Sequence, residues 1–243
     1  MTDLFVPLDD HPAYRQIANL IEQRIVGRSL RTGDALPSET DLARQFGVNR
    51  STIREAIREL ETHGLLGRGR GEKRLRVTRP EHGSISSGVS RALALHDVTF
   101  IELWEAMMAI EPAAAHYAAA RRTAAQLQGL TRASARFKRE ITDTAAAVAA
   151  VVDFFTAVAG ASGNQVLALS QAPLNVLLVP ALSKIIDRVP QARARIQAAQ
   201  NKIIDSIKLK KSEQARSWME KHIRDFKRGY ELDLPEGKAR RAS

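Results

Sequence analysis

The stretch FGVNRSTIREAIREL, beginning at Phe46, holds the residues best suited to chemistry. Asn49, Arg50, Ser51 and Thr52 follow a glycine and open a helical pattern. Arg50, Arg54 and Arg58 recur every four residues and so share one side of a helix, while Ile53, Ile57 and Leu60 fall on another. A helix N-terminus carries unpaired N–H groups and about half a positive charge, which suits a phosphate. Asn, Ser and Thr add donors of short reach, and an arginine can pair with phosphate or make two hydrogen bonds to guanine. Arg50 and Arg54, nearest the N-terminus, are the candidates for base reading. An arginine stripe alone is usually a solvated face, and Glu55 and Glu59 stand at pairing distance along the helix. The surroundings decide between the two.

Those surroundings form a recognisable set. Tyr14, Ile17, Ala18, Ile21 and Ile25 share one face of a first helix that starts near Pro12. Ser38 reads as the N-cap of a second, with Asp41 three residues on and Leu42, Ala43 and Phe46 facing inward. Gly47 suits the left-handed residue that ends it, and Asn49 caps the third. Two short helices joined around a glycine form a helix-turn-helix. Beyond them, GRGRGEKRLRV has three glycines that exclude a helix, and its Leu75 and Val77 alternate with Arg74 and Arg76 as in a strand. With Leu65-Leu66 as partner this is a two-stranded wing, and its tip, Arg70-Gly71, can approach a minor groove. Cap, stripe and basic wing together point to duplex DNA.

Composition agrees with that reading. The 243 residues carry a net charge of +10 and no cysteine, which favours polyanionic partners and excludes disulfides and thiolate metal sites. No signal-like N-terminus is present and no uninterrupted apolar run approaches ~18 residues, so a cytoplasmic chain without a membrane span is expected.

The expected fold class is mainly α, a winged helix-turn-helix followed by an all-helical antiparallel bundle. The divisions are 8–78 for DNA binding, 79–94 for a linker read from RPEHGSISSG, 95–232 for the bundle and 233–243 for a basic tail. Within the bundle, Thr99 and Glu102 form a capping box, Pro112 should kink or interrupt its helix, and Pro173 and Pro180 should break the apolar run that contains them.

The run GDALPSETDLARQFGVNRSTIREAIRELETHGLL, followed by the glycine and arginine wing, closely resembles the GntR family of bacterial transcription regulators. The resemblance implies a dimer reading a short palindrome. It places the DNA contacts on Asn49, Arg50, Ser51, Thr52, Arg54, Arg70 and Gly71. Where the family often has Arg after PSE, this chain has Thr40, so that contact is altered.

The helical part resembles the effector-binding domain of the FadR subfamily, through ELWEAMMAIEPAAAHYAAARR, FFTAVAGASGN and IIDSIKLKKSEQARSWMEKHI. Many members of that subfamily hold a divalent metal with one Asp and three His. Here the Asp position is Val151, two His positions are Phe155 and Gln200, and only His222 remains. The arginine of the subfamily's ExRxxIE pattern is Met107. One imidazole does not make a divalent site, so no metal and no cofactor are expected. Apolar replacements lead to an apolar or acyl effector among Met107, Val151, Phe155, Gln200 and His222, or else to a solid core that only dimerises. An enzyme is not expected, since no nucleophile motif or phosphate loop is present and the six histidines form no metal pattern.

Overall fold

The computed structural model describes residues 12–69, 74–79 and 82–233. The wing-tip candidates Arg70 and Gly71, and the basic tail from residue 234 on, lie outside the described residues. The chain divides into two compact units, Met1–Ser84 and Ile85–Ser243.

The first unit holds α1 (Ala13–Val26), α2 (Glu39–Phe46), α3 (Arg50–Thr62), β1 (Leu66–Arg68) and β2 (Leu75–Val77). The expected signals work locally. The Ser38 hydroxyl accepts from the Asp41 backbone N–H, and Gly47 adopts φ 66° to end α2. Leu66 pairs with Val77 and Arg68 with Leu75 in an antiparallel wing. Ile17, Ile21, Leu42, Ile53, Ile57, Leu60, Leu66 and Val77 form one buried core. The apolar side of α3 is therefore fixed inward, and its arginine side is left to solvent. Asn49 takes the N-cap position of α3, but its side chain makes no capping bond.

The second unit is helical throughout its described length. It comprises α4 (His82–Leu95), α5 (Phe100–Arg121), α6 (Ala124–Arg139), α7 (Thr144–Ala161), α8 (Gln165–Arg188), α9 (Ala192–Lys208) and α10 (Ser212–Asp233). α5 packs mainly on α10, α6 on α7, and α7 on α8. Thr99 and Glu102 form the expected capping box.

Two expectations are corrected. The segment 79–94, read as an irregular linker, is helical from His82. Its Gly and Ser lower helix propensity by about 1 kcal/mol each at most, and tertiary contact outweighs that. Ser90 is buried and its hydroxyl reaches the Pro173 carbonyl at 3.5 Å. Pro173 and Pro180, expected to break the apolar run, lie inside the continuous helix α8, and Pro112, expected to kink or interrupt its helix, does not interrupt α5. Each removes one backbone donor, but Pro112 and Pro173 are buried among apolar neighbours whose packing holds the helix together.

α7 and α8 are long and apolar enough to cross a membrane by length and composition alone. In the bundle α7 is a core helix, with Val148, Val151, Phe154, Phe155 and Val158 buried. α8 is buried over only about a third of its length, which leaves an apolar face exposed.

Candidate nucleic-acid interface

The second and third helices and the wing enclose a concave face of about 740 Å³. Ser38, Glu39, Thr40, Arg50, Arg54 and Arg68 are among the residues that line it. Three of the sequence-derived candidates, Thr40, Arg50 and Arg54, thus meet on one surface. Asn49, Ser51 and Thr52 sit beside it at the first turn of α3, exposed or half-exposed, with the turn's free N–H groups. Arg58 is exposed two turns along the same stripe.

Glu39 also lines this face, and its pairing with the arginines was not visible from the sequence. Glu39 Oε2 accepts from Arg54 Nε at 2.8 Å, and its other oxygen lies 3.9 Å from Arg68. Arg68 also donates to Glu61 at 2.9 Å. The hydrogen bond from Arg54 holds the Glu39 carboxyl below the usual carboxylate range, and the charges of Arg50 and Arg68 add to that. Arg74 lines the same hollow from the start of β2.

The effector candidates lie together in the core of the second unit. Met107, Val151, Phe155, Gln200 and His222 are each at most 2 % exposed. The His222 ring stacks on Phe155 at 5.7 Å and leans on Phe226 at 4.6 Å. Burial pulls its imidazole down to about 4, so it is neutral. Its Nε2 has no hydrogen-bond partner, and neither end of the Gln200 amide has one.

Glu111, on the inner side of α5, is fully buried, and burial pushes its carboxyl up to about 8 against the opposing effect of Gln171 beside it. Gln171 donates to Asn175 at 2.8 Å, and Asn175 donates to Thr156 at 3.0 Å. The donor set does not fit a divalent ion: His222 is one neutral imidazole against the Phe155 and Phe226 rings, and Val151 and Phe155 carry no ligand atom. Among the described residues no group of three or more metal-ligating His, Asp or Glu side chains comes together. Asp153 pairs with Arg136 at 2.7 Å at the bundle surface. The cavity that reaches His222 measures about 20 Å³ and is lined by Ile185, Ile196, Phe226 and Gly229 among others, room for about one water.

A winged helix-turn-helix with a basic hollow, followed by a helical unit, defines a DNA-binding regulator. Residues 13–73 match the model of the bacterial regulatory proteins of the gntR family, and residues 102–225 match the FCD domain. The chain belongs to the GntR family, in the branch that carries the FCD domain. It is similar to the transcriptional repressor NanR of Cronobacter sakazakii, 27% identical over 221 residues, which span 89% of this chain and 85% of that protein. NanR of Escherichia coli K12 is 26% identical over the same length, 89% of this chain and 84% of its own. Among solved structures, a GntR protein of Streptococcus agalactiae is similar at a TM-score of 0.62 and 25% identity, covering 88% of this chain and 99% of that one. The chain is accordingly a transcription regulator and not an enzyme.

Proposed function

We propose that the chain is a homodimeric, cytoplasmic repressor that covers a palindromic operator and is released by a small, largely apolar or acyl effector without a metal. The observation that carries the DNA half is the convergence of Thr40, Arg50 and Arg54 on one basic hollow beside the open end of α3. The wing tip, Arg70 and Gly71, completes the contact in a neighbouring groove. Repression is supported by the name of the NanR relatives. The effector is supported by the core positions Gln200 and His222, where both ends of the Gln200 amide and His222 Nε2 stand without hydrogen-bond partners in an apolar interior. Such groups are expensive to leave unpaired, and a ligand with matching donors and acceptors relieves them. Effector binding shifts the protein only by its difference in affinity for the DNA-competent and incompetent arrangements.

The dimer is supported by the uncovered side of α8. Val166, Val176 and Val179 are exposed there, and Leu93 with Leu169 and Pro173 lines an apolar groove beside them. Light scattering is expected to give the mass of two chains, and Val166→Glu combined with Val176→Glu to give the mass of one.

A second reading has its own support: Met107, Val151 and Phe155 fill the centre of the bundle, as in a scaffold that only dimerises. Melting temperature against a panel of acyl-coenzyme A esters, fatty acids and small organic acids separates the two. An effector at about 100 times its Kd adds roughly 2.7 kcal/mol of stability. No response to any member of the panel leaves the scaffold. Stabilisation by zinc, nickel or manganese that a chelator reverses overturns the metal-free reading.

A further inference from the structure

A carboxylate that lines a DNA-binding hollow is unfavourable on electrostatic grounds alone, because it faces the phosphates that the arginines attract. Glu39 occupies that place at the first position of α2, half-buried, where three cations converge on it. Its two oxygens are directed to different elements, Oε2 to Arg54 of α3 and Oε1 to Arg68 of the wing. Exposed ion pairs of this kind contribute little to folding stability, so stability does not account for the arrangement.

The geometry of Arg54 supplies another account. An arginine guanidinium can donate in pairs from two edges, Nε with one terminal NH2 or the two terminal NH2 groups together, and a free arginine can present either. With Nε bound to Glu39 at 2.8 Å, the edge that uses Nε is taken, and the end carrying the two terminal NH2 groups is left to face the duplex. That end can make two parallel hydrogen bonds to guanine O6 and N7. The second contact of the same carboxylate, to Arg68, ties the wing strand to the helix that reads bases, and Glu61 holds Arg68 from its other side.

We propose that Glu39 is a positioning residue for operator recognition: it fixes the face that Arg54 presents to DNA and couples the recognition helix to the wing through Arg68. The proposal rests on the reading of Arg54 as a DNA contact, and the test keeps the two apart.

The sign of the effect is diagnostic. Removing a negative charge from a surface that meets phosphates strengthens sequence-independent binding. Removing a positioning group weakens binding to the right sequence. The probe is a duplex selected from a random pool by the wild-type chain, with a duplex of shuffled sequence as reference, both at one salt concentration. Glu39→Ala is expected to bind the selected duplex about tenfold more weakly and the shuffled duplex about twofold more tightly. Glu39→Gln keeps an acceptor for Arg54 and is expected to recover part of the loss. In an Arg54→Ala background, Glu39→Ala is expected to cause no further loss of discrimination.

Equal or tighter binding of Glu39→Ala to the selected duplex, with discrimination intact, overturns the proposal. So does a full further loss in the Arg54→Ala background, which makes Glu39 a direct reader. A normal affinity for Arg54→Ala alone overturns the underlying DNA reading instead. Melting temperature is expected to be unchanged in each variant, and a Glu39→Ala chain that fails to fold leaves Glu39→Gln to decide by the same ratio.

Discussion

Glu111→Gln is expected to make the protein more stable at pH 7.5 by roughly 3–4 kcal/mol, and to leave its stability near pH 4.5 unchanged. Burial raises the Glu111 carboxyl from 4.5 to about 8 in the folded chain. Between those values the folded chain keeps a proton that the unfolded chain sheds, so stability falls as pH rises. His222 acts in the opposite sense, because burial lowers it from 6.5 to about 4. Between those values the unfolded chain holds a proton that the folded chain lacks, so stability falls as pH falls. The two slopes oppose each other from about 4.5 to 6.5, and above 6.5 only that of Glu111 remains. Glutamine keeps the shape and the neutral state, and it removes the titration. Urea unfolding of both chains at one protein concentration, across that range, measures the gap. A gap that does not widen with pH shows that Glu111 is ionised or hydrated in the folded protein, and takes with it the picture of an unpaired neutral carboxyl at the centre of the bundle.

The parts of the molecule that were legible in the sequence are those fixed by neighbouring residues. Ser38 with Asp41, Gly47 and the Ile53-Ile57-Leu60 face each act within a turn or two, and each stands where its spacing indicated. The same holds for Thr99 with Glu102. The wing was legible in the same way, from its glycines and the alternation of Leu75 and Val77, whereas the register of the second unit is carried by the motifs of the resemblance.

What stayed hidden depends on contacts between elements. Glu39 and Arg54 are 15 residues apart on different helices, and nothing in either helix's pattern joins them. That α8 runs on through Pro173 and Pro180, and α5 through Pro112, is not legible locally, because the rule about missing donors competes with burial, which no local window shows. The same holds for α4, since its two glycines and its serines weigh against a helix until α8 lies beside it. Glu111 looks from the sequence like one more charge on a surface helix. α7 and α8 pack on α5 and bury Glu111 there, with Gln171 of α8 as its polar neighbour.

Arg50→Ala and Arg54→Ala should each remove about 1–3 kcal/mol per half-site from binding to a selected operator, if the side chain reads a base. In the proposed dimer on a palindrome each loss counts twice, roughly 2–6 kcal/mol per duplex. The loss should be confined to the selected sequence, because base contacts discriminate and phosphate contacts do not. Both arginines line the hollow and project from the first two turns of α3, where a helix placed end-on in the major groove comes nearest the base edges. Arg58 lies a further turn along, so Arg58→Ala should lose less, and lose it equally on selected and shuffled duplexes. Arg70→Ala should also lose less than Arg50→Ala, with a flatter dependence on salt, if it meets phosphate. Titration of each variant against both duplexes at two salt concentrations separates base reading from charge. If Arg50→Ala and Arg54→Ala weaken both duplexes alike, the stripe is only a phosphate clamp, and sequence must be read by Asn49, Ser51, Thr52 and the wing.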